Sequence, residues 1–232
     1  MIILNIETST NVCSVALSDG TNLVFVRMND EGQNHAALLS IYIQEALDFL
    51  KTENKKLDAV AVSSGPGSYT GLRIGVSTAK GLCYGMDIPL ISVETLKTLA
   101  VNALRKHPID NDSILCPMID ARRMEVYTAL YDCNLQEISG AEPKIIDENS
   151  FAEILKNKKI VFFGNGADKC QEVIKSGNAK FLPEIVPLAE DMISLATEAF
   201  EKKYFVDTAY FEPFYLKEFQ PTTPKPKVLT NR

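Results

Sequence analysis

A glycine-rich stretch, SSGPGSYTGLRIGVSTAKGL over residues 63–82, follows an apolar run. A strand followed by glycines and a helix often binds phosphate, because the backbone N–H groups at a helix N-terminus point towards an anion. Gly71, Gly75 and Ala79 recur every four residues, however, and such a small-residue stripe lets another segment approach a helix closely. Pro66 also removes one N–H donor from the loop. The pattern therefore favours packing, within the chain or against a partner, over a phosphate site.

The histidines and cysteines form no recognisable catalytic or metal pattern. The two histidines, His35 and His107, are far apart, and the residue one helical turn after His35 is leucine, so a paired-histidine helix face is missing. A histidine at a helix start is more typical of capping or packing than of metal binding. The five cysteines form no CxxC pair, and Cys13, Cys83 and Cys116 lie in apolar runs, which indicates reduced core thiols. Metal catalysis and a cysteine nucleophile are both disfavoured.

The composition is that of an acidic globular protein. The chain has 232 residues, 24 basic and 30 acidic side chains and a net charge of −6. Lysine and arginine supply most of the affinity for nucleic acid, so direct binding to it is not expected to be the main role. No apolar run approaches the roughly 20 residues that span a bilayer, and the opening MIILNIE is not a secretory leader. The sequence predicts a cytoplasmic protein with no membrane contact.

The chain is predicted to contain two copies of one structural unit. In the first half we expect strands at 2–6, 12–18, 22–27, 57–63 and 88–93, with helices from Asn34, from near Thr70 and from Glu94. In the second half we expect strands at 114–120, 125–132, 143–147 and 159–164, a short FLP segment, and helices at 148–156, 167–176 and 187–202. The halves also align without a gap, and each fourth strand ends in Gly-x-Gly. The prediction is an α/β fold built from a duplicated βββαβαβα unit.

A duplicated unit with a carboxylate ending the first strand of each half resembles the superfold of actin, sugar kinases and Hsp70. There two similar lobes hold ATP and Mg²⁺ between them. That fold grips phosphate with an Asp and a turn of small residues in each half. Here Glu7 precedes Thr-Ser-Thr-Asn and Asp120 precedes Ala-Arg-Arg-Met, so neither turn has a glycine. Self-sufficient ATP hydrolysis is disfavoured, although Glu7 could serve a shared site. Arg122 and Arg123 are expected to be a solvated or ion-paired surface pair rather than an anion or tRNA contact.

Four stretches resemble one family: MIILNIETST, NHAALL, SSGPGSYTGLRIGVSTAKGL and MIDARRMEVYTALYD. They are similar to the bacterial TsaB (YeaZ) proteins, and SGPGSYTGLRIG is the most specific of them. The similarity runs from Met1 to about Asp132 and continues more loosely through residues 164–167 and 215–217. It implies a non-catalytic dimerisation subunit of the complex that installs threonylcarbamoyl on the adenosine next to the tRNA anticodon.

The resemblance also implies partners. In that family the catalytic paralogue, TsaD, keeps the histidine pair, the metal and the nucleotide site, and the ATPase TsaE is a third component. ATP and metal are therefore expected on partner subunits, and no cofactor is expected on the isolated chain. We expect a homodimer when the chain is alone, exchange to a heterodimer with a TsaD-like subunit, and contact with tRNA only through the complex.

Family proteins associate through the first two helices, which correspond here to residues 34–51 and 70–86. The interface residues implied are His35, Leu38, Leu39, Tyr42, Ile43, Ala46, Gly71, Ile74, Gly75, Thr78 and Ala79. Replacement of both Gly75 and Ala79 by leucine is expected to abolish association and leave a folded monomer. Glu7, Ser9 and Arg73 are possible nucleotide contacts in the assembled complex.

Three alternatives stay open at this point. An ATP-dependent small-molecule kinase or ATPase of the same superfold predicts nucleotide affinity in the isolated chain and loss of activity on changing Glu7. A glycopeptidase, suggested by the older naming of related sequences, would need a metal or an activated nucleophile. A structural module unrelated to tRNA would be distinguished by its partner. The expected organisation is an N-terminal lobe (1–105), a C-terminal lobe (106–217) and a flexible proline-containing tail (218–232).

Overall fold

A computed structural model describes residues 1–32 and 34–217 of the chain, so the tail predicted at 218–232 lies outside the described residues. The strands are β1 (Ile2–Glu7), β2 (Cys13–Asp19), β3 (Asn22–Asn29), β4 (Ala59–Gly65), β5 (Leu90–Glu94), β6 (Ile114–Asp120), β7 (Glu125–Tyr131), β8 (Glu137–Ile145), β9 (Ile160–Phe163) and β10 (Ala179–Leu182). The α-helices are α1 (His35–Thr52), α2 (Tyr69–Met86), α3 (Thr95–Lys106), α4 (Ala152–Leu155), α5 (Asp168–Gln171) and α6 (Ile193–Glu201), and a 3₁₀ turn (Ala189–Met192) precedes α6.

The two halves have the same sheet topology. The strand order is β3-β2-β1-β4-β5 in the first sheet and β8-β7-β6-β9-β10 in the second. In each sheet the first three strands are antiparallel and the last two run parallel to the first. The fourth strand of each half ends at a glycine of positive φ, Gly65 (111°) and Gly164 (100°). The duplicated unit predicted from the sequence is confirmed, and its topology is that of the actin, sugar-kinase and Hsp70 superfold.

The helices of the second half are shorter than the sequence predicts. Phe151 has a left-handed φ of 61°, so regular helical geometry begins only at Ala152, within the predicted range 148–156. The helix predicted at 167–176 ends at Gln171, and the one predicted at 187–202 starts as a 3₁₀ turn. Conversely, β8 begins six residues earlier than expected, because it is an exposed edge strand with no apolar alternation to mark its start.

The third helix of each half packs against the sheet of the other half. Apolar residues of α3, including Leu99 and Ala103, share a core with Leu115 and Val161 of the second sheet. Ala196 of α6, with Met192 just before the helix, shares a core with β1, β4 and β5 of the first sheet. The division proposed between residues 105 and 106 falls just before Lys106, the last residue of α3, and the cores on either side exchange helices across it.

Residues 206–217, here called the C-terminal strap, cross from the first lobe to the second. Val206 pairs with Leu90, and the backbone N–H of Phe214 donates to the carbonyl of Ser64 at 2.7 Å. At the far end Lys217 forms an ion pair with Glu125 at the start of β7. The strap therefore contacts both lobes. No helix within the described residues is long and apolar enough to cross a membrane.

Candidate functional site

The glycine-rich loop is filled by the protein's own backbone. The helix predicted to start near Thr70 begins at Tyr69. Ser68 is its N-cap, and the hydroxyl of Ser68 accepts a hydrogen bond from the N–H of Gly71 at 3.3 Å. The N–H of Ser68 donates to the carbonyl of Ser9 at 2.6 Å. A Cβ on Gly67 would overlap the carbonyl of Ser9, and one on Gly71 would overlap that of Thr8. The glycines therefore let the turn after β1 lie where a phosphate would have to sit.

Glu7 lies at the base of the same turn and is completely buried. Its Oε1 accepts the N–H of Ser9 at 2.6 Å. Among the described residues, its Oε2 and the hydroxyl oxygens of Ser9 and Ser63 form no hydrogen bond. Both hydroxyls nevertheless lie close enough to the carboxylate to lower its pKa. Burial is the dominant influence and raises the pKa of Glu7 to about 7. Glu7 and Ser9 are both buried, so neither side chain is accessible to a nucleotide in this conformation. The contact suggested for them in the assembled complex stays a prediction.

Most of the small-residue stripe predicted as a partner surface faces inwards, and this corrects the sequence-based interpretation. Gly71, Gly75 and Ala79 are buried. Close contact with Thr8 accounts for glycine at positions 71 and 75. The Oγ1 of Thr8 donates to the carbonyl of Gly71 at 2.8 Å, and the same atom would overlap a Cβ on Gly75. The leucine pair proposed at Gly75 and Ala79 would therefore damage the lobe itself rather than only an interface.

Part of the predicted α1 surface is also internal, because it packs in the core of the first lobe. Leu39, Ile43 and Ala46 face the first sheet in its apolar core. His35 is buried at the start of α1, where its Nε2 lies 2.8 Å from the carbonyl oxygen of Thr10. These four residues stabilise the lobe and are not available to a partner. Asn34, from which the sequence predicts the helix, is the N-cap of α1, but its side chain makes no capping hydrogen bond.

An apolar surface does remain on the outside of these helices. Here called the α1/α2 face, it comprises Leu38, Ile41 and Tyr42 of α1 with Ile74 and Thr78 of α2. Ile41 is 51% exposed, and the other four are half-buried. The two helices contact each other and pack on the same core cluster. Predicted interface residues with exposed surface therefore remain on both helices, and their role in association stays a prediction.

A cleft of about 730 Å³ lies between the two lobes. The ends of β4 and β5 supply Ser64, Pro66 and Glu94, β8 supplies Glu137, and the C-terminal strap supplies a wall that includes Phe214. Three of its lining residues are glutamates, and none of the described lining residues is lysine, arginine or histidine. This composition differs from that of a phosphate site, which needs positive charge or free N–H donors.

Comparison with known proteins assigns the chain to a family. A family model described as TsaD, tRNA N6-adenosine threonylcarbamoyltransferase, matches residues 29–223. The tRNA threonylcarbamoyladenosine biosynthesis protein TsaB of Escherichia coli is 33% identical over 227 residues, covering 94% of this chain and 95% of that protein. The TsaB of Bacillus subtilis is 32% identical over 182 residues, covering 75% and 76%. The chain belongs to the TsaB (YeaZ) family.

Solved structures agree with the TsaB assignment. YeaZ from Pseudomonas aeruginosa superposes with a TM-score of 0.76 at 27% identity, covering 93% of this chain and all of that one. A second structure, an uncharacterised protein with similarity to the peptidase YeaZ from the same organism, has a TM-score of 0.80 at 25% identity, with 93% and 99% covered. Both the fold and the family predicted from the sequence are confirmed.

The remaining predicted residues of this TsaB-family chain are accessible. Arg73 is exposed, with its guanidinium 5.5 Å from the centre of the Tyr69 ring. The Tyr69 ring also contacts Tyr215 of the C-terminal strap, at 4.7 Å between centroids. Helical periodicity places Ile41 off the buried stripe of α1, together with Leu38 and Tyr42. Sequence reasoning missed the acidic cleft, because nothing local marks residues that meet from three separate segments.

Proposed function

We propose that this chain is the dimerisation subunit of the system that makes N6-threonylcarbamoyladenosine in tRNA. In this role it performs no chemistry itself and supports a TsaD-like catalytic subunit, with a TsaE-like ATPase as a third component. ATP and metal bind to the partners, and tRNA is reached only through the assembly. The functions for which the TsaB relatives are named supply the pathway. The α1/α2 face is the observation that supports a role in association.

The α1/α2 face has the properties of an association surface. Apolar side chains with exposed surface lie on two neighbouring helices, and helices present such side chains to other helices by packing ridges into grooves. Two helices from each of two subunits would give a four-helix contact. The same surface would form a homodimer when the chain is alone and a heterodimer when the catalytic subunit is present. Because one surface cannot contact both partners at once, the two dimers would compete.

The filled glycine loop supports a subunit without its own nucleotide chemistry. Thr8 and Ser9 occupy the space at the N-terminus of α2, and the carbonyl of Ser9 already accepts the N–H of Ser68. A kinase of the same superfold would need this region open to phosphate. No observation on the described residues favours that alternative, and calorimetry of the purified chain with Mg-ATP would reveal it.

The proposal is tested by placing a charge on the α1/α2 face. The variant Ile41→Glu should dissociate the homodimer and prevent capture of the TsaD-like subunit, because an ionised carboxylate would be buried without a partner. Oligomeric state is measured by size-exclusion chromatography with light scattering, and capture by co-purification of the two subunits.

A matched control is available in the second lobe. Ile138 on β8 is 53% exposed, close to the 51% of Ile41, so Ile138→Glu adds the same charge to an equally exposed position. This variant should keep both the dimer and the capture. Circular dichroism checks that each variant remains folded. A dimer that survives Ile41→Glu, or equal loss in both variants, would contradict the proposed interface.

A further inference from the structure

The C-terminal strap is attached to the first lobe at several points along its length. At its start, the N–H of Val206 donates to the carbonyl of Leu90 at 3.0 Å. Further along, the N–H of Phe214 donates to the carbonyl of Ser64 at 2.7 Å. A Cβ on Gly65 would lie only 2.7 Å from the carbonyl oxygen of Phe214. The strap therefore lies directly against the end of β4, where a side chain would push it away.

Lys80 of α2 holds the middle of the strap. Its ammonium group donates to the carbonyl of Ala209 at 3.1 Å and to the carbonyl of Phe211 at 2.9 Å. The strap turns here, because the carboxylate of Asp207 accepts the N–H groups of Ala209 at 2.8 Å and Tyr210 at 3.1 Å. Hydrogen bonds from a charged donor are stronger than those from a neutral one. One side chain of α2 thus fixes the path of the strap across the first lobe.

The attachment of the strap to the second lobe is of a different kind. Its contact with the first lobe extends to Tyr215, whose ring lies 4.7 Å from that of Tyr69 between centroids. Two residues later, in the part of the chain that the structure describes, an ion pair joins Lys217 to Glu125 of the second lobe. The side chains are 43% and 19% exposed, so water and salt weaken the pair. The strap is held firmly by one lobe and weakly by the other.

The strap also forms one wall of the cleft between the lobes. Phe211, Phe214 and Tyr215 line the cleft beside Pro66 of the first lobe, and residues of β8 line it from the second lobe. The exchanged helices α3 and α6 join the lobes through their cores, whereas the strap joins them along the cleft. A change at the weak end of the strap would therefore alter the cleft without disturbing either core.

We propose that the C-terminal strap is a conformational latch, with a fixed part on the first lobe and a releasable end at the pair of Lys217 and Glu125. In the latched state the strap covers the end of β4 and is tied to both lobes. In the released state Lys217 leaves Glu125, and this wall of the cleft loses its ion pair with the second lobe. Higher salt favours release, because it screens the ion pair. The latch acts within one chain and goes beyond the proposed role in association.

Amide hydrogen exchange of the full chain, followed by mass spectrometry, tests the latch. The variant Lys217→Met should raise exchange in peptides that contain Phe214 about three- to fivefold, because the strap loses one partly exposed ion pair. Peptides that contain Val206 should not change, since they belong to the fixed part. The double variant Glu125→Lys/Lys217→Glu reverses the pair and should restore the wild-type rate. Added sodium chloride should speed exchange at Phe214 in wild type but not in Lys217→Met.

Two further variants make the result specific. Lys80→Met removes the donor to two carbonyls of the fixed part and should raise exchange over residues 207–212 about tenfold or more. Lys159→Met breaks an exposed ion pair with Asp110 elsewhere in the second lobe and should leave the strap unchanged. The proposal is overturned if Lys217→Met leaves exchange at Phe214 unchanged, if the reversed pair does not restore it, or if Lys159→Met raises it equally. A rise spread evenly over both lobes would also overturn it, because it would indicate a general loss of stability.

Discussion

At the residue scale, burial controls the behaviour of Glu7. Its pKa rises from 4.5 to about 7 because the carboxylate is desolvated. The folded protein therefore binds a proton that the unfolded chain releases, and stability falls as pH rises from about 4.5 through 7. A shift of this size corresponds to about 3 kcal/mol between the acidic and alkaline limits. Below pH 4.5 this residue adds no penalty.

The variant Glu7→Gln should remove this penalty. Glutamine keeps an oxygen to accept the N–H of Ser9 and adds an amide that can donate to the hydroxyl of Ser9 or Ser63. We expect the variant to be more stable than wild type by about 3 kcal/mol at pH 8 and nearly equal to it at pH 4.5. Urea unfolding at several pH values measures the difference.

An exposed glutamate provides the control for Glu7. Glu53→Gln, at the C-cap of α1, should leave the pH dependence of stability unchanged. If Glu7→Gln followed wild type in parallel from pH 4.5 to 8, the carboxylate would be ionised throughout, and the account of its burial would be wrong.

The sequence could place Glu7 but not its environment. The apolar run of residues 2–6 predicts a strand, and a carboxylate at its end could equally face solvent, a phosphate or the core. The outcome depends on the turn of residues 8–11, which folds over Glu7 and against α2. That contact joins segments about 60 residues apart, so no local pattern reports it.

At the element scale, α2 carries two kinds of glycine. Gly75 lies against Thr8, whereas Gly81 on the same helix has open space where a Cβ would be. Gly75→Ala should destabilise the protein by about 1–3 kcal/mol, because the turn after β1 must move. Gly81→Ala should stabilise it by up to about 1 kcal/mol, because alanine favours the helix. Thermal or urea unfolding of the two variants gives the comparison. Equal effects would mean that the turn after β1 does not pack against α2.

Element prediction succeeded where periodicity was strong. The β2–β3 hairpin around Asp19 and Gly20, and helices α1 and α2, have clear apolar patterns and turn residues. The short helices α4 and α5 were overestimated because apolar spacing does not show where a left-handed residue such as Phe151 interrupts a helix. The spacing of Gly71, Gly75 and Ala79 correctly predicted a close approach, but it could not distinguish a partner helix from the chain's own turn.

At the scale of the whole molecule, the exchange of α3 and α6 makes the two lobes depend on each other. Leu99 of α3 completes the core of the second sheet, and Ala196 of α6 completes that of the first. The duplicated sequence predicts two similar units, but it gives no sign of which sheet a helix covers, since an amphipathic face fits either. The lobes are therefore expected to unfold in one cooperative transition.

A buried polar cluster joins α3 to the segment that leads into α6. Asp191, only 2% exposed, accepts hydrogen bonds from Nδ2 of buried Asn102 at 2.5 Å and from Nε of Arg105 at 2.7 Å. Arg105 also pairs with Glu190 at 2.6 Å. Because Asn102 and Arg105 belong to α3, the cluster fixes the two exchanged helices relative to each other.

Replacement of Asp191 by alanine tests this connection. Asn102 would lose its acceptor in a buried position and Arg105 one of its carboxylates, so we expect Asp191→Ala to lower the free energy of unfolding by about 2–3 kcal/mol. The loss should appear as a shift of one transition, since both sheets share the exchanged helices. Asp110→Ala, which breaks an exposed ion pair with Lys159, should have a much smaller effect. Two separate transitions in Asp191→Ala, monitored by fluorescence and circular dichroism, would show that the lobes fold independently and that the exchange does not couple them.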